Sequence, residues 1–129
     1  IPLRLVGSEM CIRDSRWIDW GKEQFIGQAA AIKERDGNGP SQKLVMLEIN
    51  ADDADASGYE PVWNNDTLVG FVTSGGYGHT LNKSLAMALV NSDLANEGQR
   101  LKVHVVGVEK DAKVIQMTPY DPEGLAMRV

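Results

Sequence analysis

The chain has 129 residues, a formal net charge of −5 and a sequence pI near 4.9. This length fits one domain whose core is stable without disulfides or structural metals. The single cysteine cannot form an internal disulfide, and the two isolated histidines do not form a zinc site. The acidic balance without Lys/Arg runs argues against nucleic acid and anionic membranes as partners. No apolar run approaches the ~20 residues needed to cross a bilayer, so we expect a soluble protein of the cytoplasm or an organelle, and we predict the cytoplasm.

The first fifteen residues differ from the rest of the chain. They show neither a helical nor a strand period, and they lack the cleavage pattern of a signal peptide. The run from Leu5 to Asp14 resembles translated sequencing-adaptor DNA. We therefore expect a non-native segment over residues 1–15 and one native domain over 16–129, which would then be a piece of a longer protein.

One helix and one strand are predicted before residue 50. Phe25, Ala29 and Ile32 fall on one helical face, which predicts a short surface helix over residues 26–35 that ends near Gly37. The apolar run from Leu44 to Ile49 is too short for an isolated helix and predicts a buried strand.

The acidic loop over residues 50–58 contains half of a calcium motif. Asp53, Asp55, Ser57 and Gly58 match positions one, three, five and six of an EF-hand loop. Position twelve, which should be a bidentate Glu, is Asn64, and the flanking residues predict strands. The pattern therefore favours a solvated acidic loop without a metal.

A hairpin follows this loop. Two apolar runs, 62–63 and 68–72, flank the turn residues Asn64 to Asp66. The returning strand is predicted to end in a glycine-rich bend over residues 73–78, because three glycines allow backbone conformations closed to other residues. Such a bend serves either a barrel corner or the close approach of a ligand.

Residues 81–90 fit both a helix and a strand. Leu85 to Leu89 has strong helix propensity, yet large and small residues alternate with period two. As a strand, it is expected to point Leu85, Met87 and Leu89 inward and its alanines outward, as suits a tightly curved barrel.

The last third of the chain predicts two further strands. A connection with a helical turn over 91–98 leads to a strand over 101–105, whose alternation points His104 outward. A turn over 107–111 and a strand over 112–118 follow. Six short strands and one early helix predict a mainly β fold, an antiparallel barrel or sandwich.

The sequence carries no pattern for nucleophilic catalysis. It lacks a Gly-x-Ser-x-Gly elbow, a Walker loop and a cysteine with a histidine partner, so we predict no catalytic residue. Lys110, placed at a predicted hairpin tip, raises the alternative of an independent carrier or protein-interaction module, since lipoyl and biotinyl domains display a lysine there. A plain charged turn is the competing interpretation.

A family resemblance covers residues 20–128 in order. The segments that carry it are 22–30, with Phe25-Ile26-Gly27; 43–47; 58–62 with 69–75, Val-Gly-Phe-Val-Thr-Ser-Gly; 81–90, Leu-Asn-Lys-Ser-Leu-Ala-Met-Ala-Leu-Val; Gly98; and 119–124, Pro-Tyr-Asp-Pro-Glu-Gly. They resemble the C-terminal barrel domain of the glycine-cleavage T-protein (aminomethyltransferase) family. The first and last segments favour its dimethylglycine/sarcosine dehydrogenase-type branch. The resemblance also favours the strand over the helix for 81–90 and implies a six-stranded antiparallel barrel of Greek-key or jelly-roll type.

The resemblance implies transfer of a one-carbon unit from an amine to tetrahydrofolate. In that family the catalytic aspartate and most pterin contacts lie in N-terminal folate-binding domains, which are the implied partners. If the parent is of the dehydrogenase type, FAD would bind a further upstream domain. The barrel is then expected to help close the folate cavity. Trp20, Tyr77 and His79 are the implied cofactor contacts, because an aromatic ring can stack on a flat ligand ring.

Overall fold

The computed structural model describes residues 18–37 and 39–128. The chain divides into two compact units, Ile1–Lys43 and Leu44–Val129. The predicted non-native segment over residues 1–15 lies outside the described residues. Among the described residues, no helix is long and apolar enough to span a membrane.

The described part of the first unit contains helix α1, Gln28–Asp36, close to the predicted span. Gly27 precedes the helix with a φ of 85°, and its carbonyl accepts the amide of Ala31 at 2.9 Å. The last turn carries Lys33 and Arg35, whose charges suit the negative end of the helix dipole. The helix ends at Asp36, and Gly37 follows as its C-cap. A larger residue would be crowded at position 37, because a Cβ there would stand only 2.9 Å from the carbonyl oxygen of Lys33.

The second unit is a closed antiparallel barrel in the strand order β1-β4-β3-β2-β5-β6. This confirms the predicted six-stranded barrel. Two short 3₁₀ turns, Ser92–Leu94 and Leu125–Met127, accompany it. The strands are β1, Gln42–Ile49; β2, Pro61–Asn64; β3, Thr67–Gly78; β4, Lys83–Asn91; β5, Arg100–Val105; and β6, Val108–Ile115.

The barrel core is built mainly of β-branched side chains, which alternate with outward-facing residues along β1, β4, β5 and β6. Branched side chains pack well inside a curved sheet, and burial of each removes apolar surface from water. The fully buried members come from all six strands: Leu47, Val62, Val72, Val90, Val103, Val105 and Val114.

The two faces of β4 are the reverse of the prediction. Ala86 and Ala88 point inward and are 2% and 0% exposed, whereas Leu85, Met87 and Leu89 are half-buried on the outer face. The predicted strand is confirmed, but the predicted inward face was wrong. The reason is volume: valines and leucines from the other strands already fill a narrow barrel, so β4 must contribute small side chains.

Strand β3 does not end in a bend at Thr73. It continues to Gly78, and a shift of register between Val72 and Ser74 marks a bulge against β4. Gly75 serves close packing instead of a turn. A Cβ on Gly75 would overlap the carbonyl oxygen of Ala56, so the acidic loop lies directly against the backbone of β3.

The β5–β6 hairpin turns earlier than predicted. Val106 and Gly107, with φ values of 50° and 78°, form the turn, and β6 begins at Val108. Two successive left-handed residues are the mark of a type I′ hairpin, which matches the twist of the strands it joins. Lys110 therefore lies within β6, opposite Val103 of β5, and not at the hairpin tip.

Candidate ligand-binding cleft

A cleft of about 620 Å³ opens beside the acidic loop of the barrel unit. Its volume falls within the range of small-molecule sites, but its lining is mainly polar and charged, unlike the apolar lining of most such sites. The lining comprises the loop and end of β1 (48–55), Tyr77, the start of β4 (82–84), Arg100, Leu101 and residues 111–113.

Two carboxylates of the cleft are held by lysines. Glu48 pairs with Lys83 at 2.7 Å and Asp53 with Lys110 at 3.0 Å. The hydrogen bond from Lys110 lowers the pKa of Asp53. Since the carboxylate of Asp53 is directed at Lys110, the first residue of the calcium motif is not turned towards a metal site. Among the described residues, no three His, Cys, Asp or Glu side chains form a metal-binding group.

The contact between Lys110 and Asp53 also argues against the carrier alternative, which needs a free lysine at a hairpin tip. The Lys110 side chain is 22% exposed, lies in a paired strand and is bound to Asp53. A swinging-arm lysine must instead stand free at a turn. The prediction that placed Lys110 at a hairpin tip was wrong because the turn is formed by Val106 and Gly107.

A buried serine anchors the acidic loop to the barrel. Ser84, 2% exposed, is a buried polar residue of β4, and its hydroxyl donates to Asp55 Oδ1 at 2.7 Å. Asp55 itself is exposed and lines the cleft. A buried hydroxyl needs a partner, so this hydrogen bond satisfies Ser84 and fixes the loop.

Two of the three predicted ligand-contact residues touch each other. The rings of Tyr77 and His79 meet edge to face, with centroids 5.0 Å apart and an interplanar angle of 72°. Tyr77 is 44% exposed and lines the cleft, and His79 is exposed. An aromatic side chain with an open face beside a cleft can stack on a flat ligand.

Trp20, the third predicted contact residue, belongs to the first unit. The guanidinium carbon of Arg35 lies 4.6 Å from the centroid of its ring, within reach of a cation–π interaction. The indole is half-buried.

His104 points outward between buried valines, as predicted. Its ring stacks on Trp63, with centroids 5.5 Å apart, and its Nε2 lies 3.8 Å from Glu109. Lys102 binds the same Glu109 and lowers the pKa of that carboxyl. These contacts account for His104 as part of a surface cluster away from the cleft lining.

Sequence reasoning missed Ser84 and Glu60. Ser84 shares its face of β4 with Ala86, Ala88 and Val90, but the alternation alone does not decide that this face points inward. Glu60 carries no such signal. Its carboxylate accepts the amide of Ser57 at 2.8 Å and that of Val106 at 2.6 Å, and so joins segments 46 residues apart.

The closing Pro-Tyr-Asp-Pro-Glu-Gly segment has a local structural purpose. Asp121, with a φ of 46°, accepts the amides of Leu125 and Ala126 at 2.8 and 3.0 Å. This caps the last 3₁₀ turn, since a carboxylate satisfies amides that lack partners within the turn.

Comparison with known proteins finds a matching family model and similar relatives for this chain. Residues 42–121 match the family model described as the glycine cleavage T-protein C-terminal barrel domain. Human mitochondrial dimethylglycine dehydrogenase is 39% identical over 92 residues, which is 71% of this chain and 10% of that protein. The aminomethyltransferase of Synechocystis is 37% identical over 102 residues, 79% of this chain and 27% of that protein.

A solved structure has the same fold. The glycine cleavage system aminomethyltransferase T from Bartonella henselae matches with a TM-score of 0.67 and 26% identity, over 76% of this chain and 27% of that one. The chain thus spans about a quarter or less of the length of these relatives. The family model covers more than half of the chain, and the matched residues 42–121 include all six strands of the barrel. The chain belongs to the glycine cleavage T-protein C-terminal barrel domain family.

Proposed function

We propose that this barrel works as the C-terminal module of an enzyme that transfers a one-carbon unit from an amine to tetrahydrofolate. The parent would be a T-protein-like aminomethyltransferase or a dimethylglycine/sarcosine dehydrogenase-like protein. Family membership supports the chemistry. The single observation that carries the role of the barrel is the open ring of Tyr77 at the cleft.

The barrel would contribute positioning and water exclusion, and the reacting groups would come from N-terminal folate-binding domains. The described lining of the cleft contains neither His nor Cys, and three of its five carboxylates, Glu48, Asp53 and Asp55, are already bound by neighbours. Such a wall can hold one face of a bound cofactor and keep water out. Alone, the chain is expected to be inactive.

Tyr77 is the proposed contact for a flat ring of tetrahydrofolate, either the pterin or the aminobenzoyl group. Stacking on an open aromatic face contributes about 0.5–1.5 kcal/mol beyond the burial of area. His79, which meets Tyr77 edge to face, would fix the orientation of that ring. Trp20 is proposed as a further cofactor contact from the first unit.

The other partners follow from the same proposal. FAD would bind an upstream domain if the parent is of the dehydrogenase type. No nucleic acid, membrane or metal partner is proposed, and we propose a cytoplasmic location, although the human relative is named a mitochondrial protein.

Calorimetric titration tests the proposal. The chain would be titrated with tetrahydrofolate alone and after mixing with the part of the Synechocystis aminomethyltransferase that precedes its barrel. We expect weak or no binding by the chain alone and clearly tighter binding by the mixture than by either component. Tyr77→Ala should weaken binding by the mixture about tenfold, and Tyr77→Phe should retain it, because the ring provides the contact.

Two results would count against this function. Tight binding of tetrahydrofolate by the chain alone would contradict the division of labour between barrel and N-terminal domains. Equal affinity of the mixture with Tyr77 and with Tyr77→Ala would remove Tyr77 from the cofactor site.

A further inference from the structure

The acidic loop is attached to the barrel at three points. Asp55 accepts the hydroxyl of Ser84 at 2.7 Å, Ser57 donates its amide to Glu60 at 2.8 Å, and Ala56 lies buried against Gly75, where no side chain would fit. Loops usually have few such contacts and move. This loop is therefore a fixed element of the cleft.

The attachment through Ser84 lies directly beside Tyr77. Ser84 and Tyr77 are paired residues of β4 and β3. Opposite residues of an antiparallel pair have Cβ atoms about 4.5–5.5 Å apart, so the bond between Asp55 and Ser84 ties the loop to the strand position next to the aromatic ring. Tyr77 and Asp55 both line the cleft.

We propose that Ser84 and Asp55 are positioning residues for Tyr77: their hydrogen bond sets the loop as a rigid wall beside the ring and so keeps the ring open to tetrahydrofolate. This inference rests on the proposed function. Ser84 lies in the cleft lining but is only 2% exposed, and its hydroxyl is donated to Asp55, so it acts through the loop and through Tyr77.

The chain offers a variant that breaks this bond with little effect on the fold. Ser84→Ala replaces a buried hydroxyl by a slightly smaller apolar group, and the exposed Asp55 carboxylate can then be hydrated. Asp55→Asn is the matched control, because its amide oxygen can still accept the hydroxyl of Ser84.

Hydrogen exchange on the full chain gives the first readout. Ser84→Ala should accelerate exchange of the amides of residues 54–58 about tenfold or more, as expected for the loss of one hydrogen bond to a carboxylate, whereas Asp55→Asn should change it less than about twofold. Unchanged exchange in Ser84→Ala would overturn the proposal.

Tetrahydrofolate binding by the mixture with the N-terminal part of the Synechocystis aminomethyltransferase gives the second readout. Ser84→Ala should weaken binding about threefold to tenfold. Asp55→Asn, which keeps an acceptor for the Ser84 hydroxyl, should retain most of the affinity of the original chain. If Tyr77→Ala weakens binding but Ser84→Ala does not, the positioning role is wrong and the proposed function stands. If Tyr77→Ala has no effect, the role of Tyr77 in the proposed function fails, and the positioning role fails with it.

Discussion

The carboxylate of Glu60 holds the amide of Val106 at 2.6 Å, and Val106 is in the left-handed region with a φ of 50°. Its side chain is 74% exposed. A β-branched residue adopts this conformation at a cost of about 1–2 kcal/mol. The hydrogen bond that Val106 donates to Glu60 offsets part of that cost, and the same carboxylate accepts the amide of Ser57 in the acidic loop.

Replacement of Val106 by Asn should stabilise the chain. Asn adopts the left-handed region readily, and Asn-Gly is the preferred pair of a type I′ turn. Because little apolar area is buried at Val106, we expect a gain of about 1 kcal/mol in the free energy of unfolding, measured in urea. Val108→Asn is the control, since that exposed residue lies in β6 and should not be stabilised. Equal or lower stability of Val106→Asn would show that the turn is not strained.

Glu60→Gln should destabilise the chain. An amide offers one acceptor oxygen, and its NH₂ group would face the other backbone N–H. We expect a loss of about 1.5 kcal/mol in unfolding free energy, because hydrogen bonds to charged groups contribute about 1.5–3 kcal/mol. Glu97→Gln, at an exposed side chain in the loop after β4, should leave stability unchanged. Similar unfolding free energies for Glu60→Gln and Glu97→Gln would contradict the structural role of Glu60.

Two adjacent glycines of β3 should respond in opposite ways to alanine. A Cβ on Gly75 would overlap the backbone of Ala56, whereas one on Gly76 would meet nothing within 4 Å. We expect Gly75→Ala to cost at least about 2 kcal/mol, in the range of overpacked sites, and Gly76→Ala to gain about 0.5 kcal/mol through the unfolded chain. Thermal unfolding of both variants measures the difference. Tolerance of Gly75→Ala would mean that the loop does not lie against β3.

The ion pair between Lys110 and Asp53 predicts that stability depends on the protonation of Asp53. Lys110 lowers the folded pKa of Asp53, so this carboxylate adds stability above its unfolded pKa, and that contribution disappears as the pH falls through the folded value. Lys110→Met should raise the pKa of Asp53 towards its ordinary value, as followed by NMR of the carboxyl carbon. Lys113→Met, on the same strand, should not. An unchanged pKa of Asp53 in Lys110→Met would contradict the ion pair between the two residues. High salt should weaken this ion pair, because both groups are near the surface.

Much of the barrel could be predicted from the sequence, because strand alternation and turn residues are local signals. The strand at Leu44–Ile49 and the hairpin around Asn65 follow from them. The inward face of β4 could not be predicted in this way. Period two fixes which residues share a face, but the available volume inside the closed barrel decides that Ala86, not Leu85, points inward.

The site depends still more on tertiary structure. Tyr77 and His79 are near in sequence, so their contact could be anticipated. The bond between Ser84 and Asp55 joins residues 29 positions apart and needs the barrel to close before it exists. Val106 shows the converse case: a valine is not expected in a left-handed turn, so the sequence placed the turn too late and Lys110 at its tip.

The most direct test of the account is complementation of activity. The part of the Synechocystis aminomethyltransferase that precedes its barrel would be assayed for formation of methylenetetrahydrofolate from an aminomethyl donor, with and without this chain. We predict little activity from either component, a substantial rate from the mixture and a loss of that rate with Tyr77→Ala. A mixture no more active than the N-terminal part alone, under conditions where the two bind each other, would contradict the role of the barrel as a wall of the folate cavity.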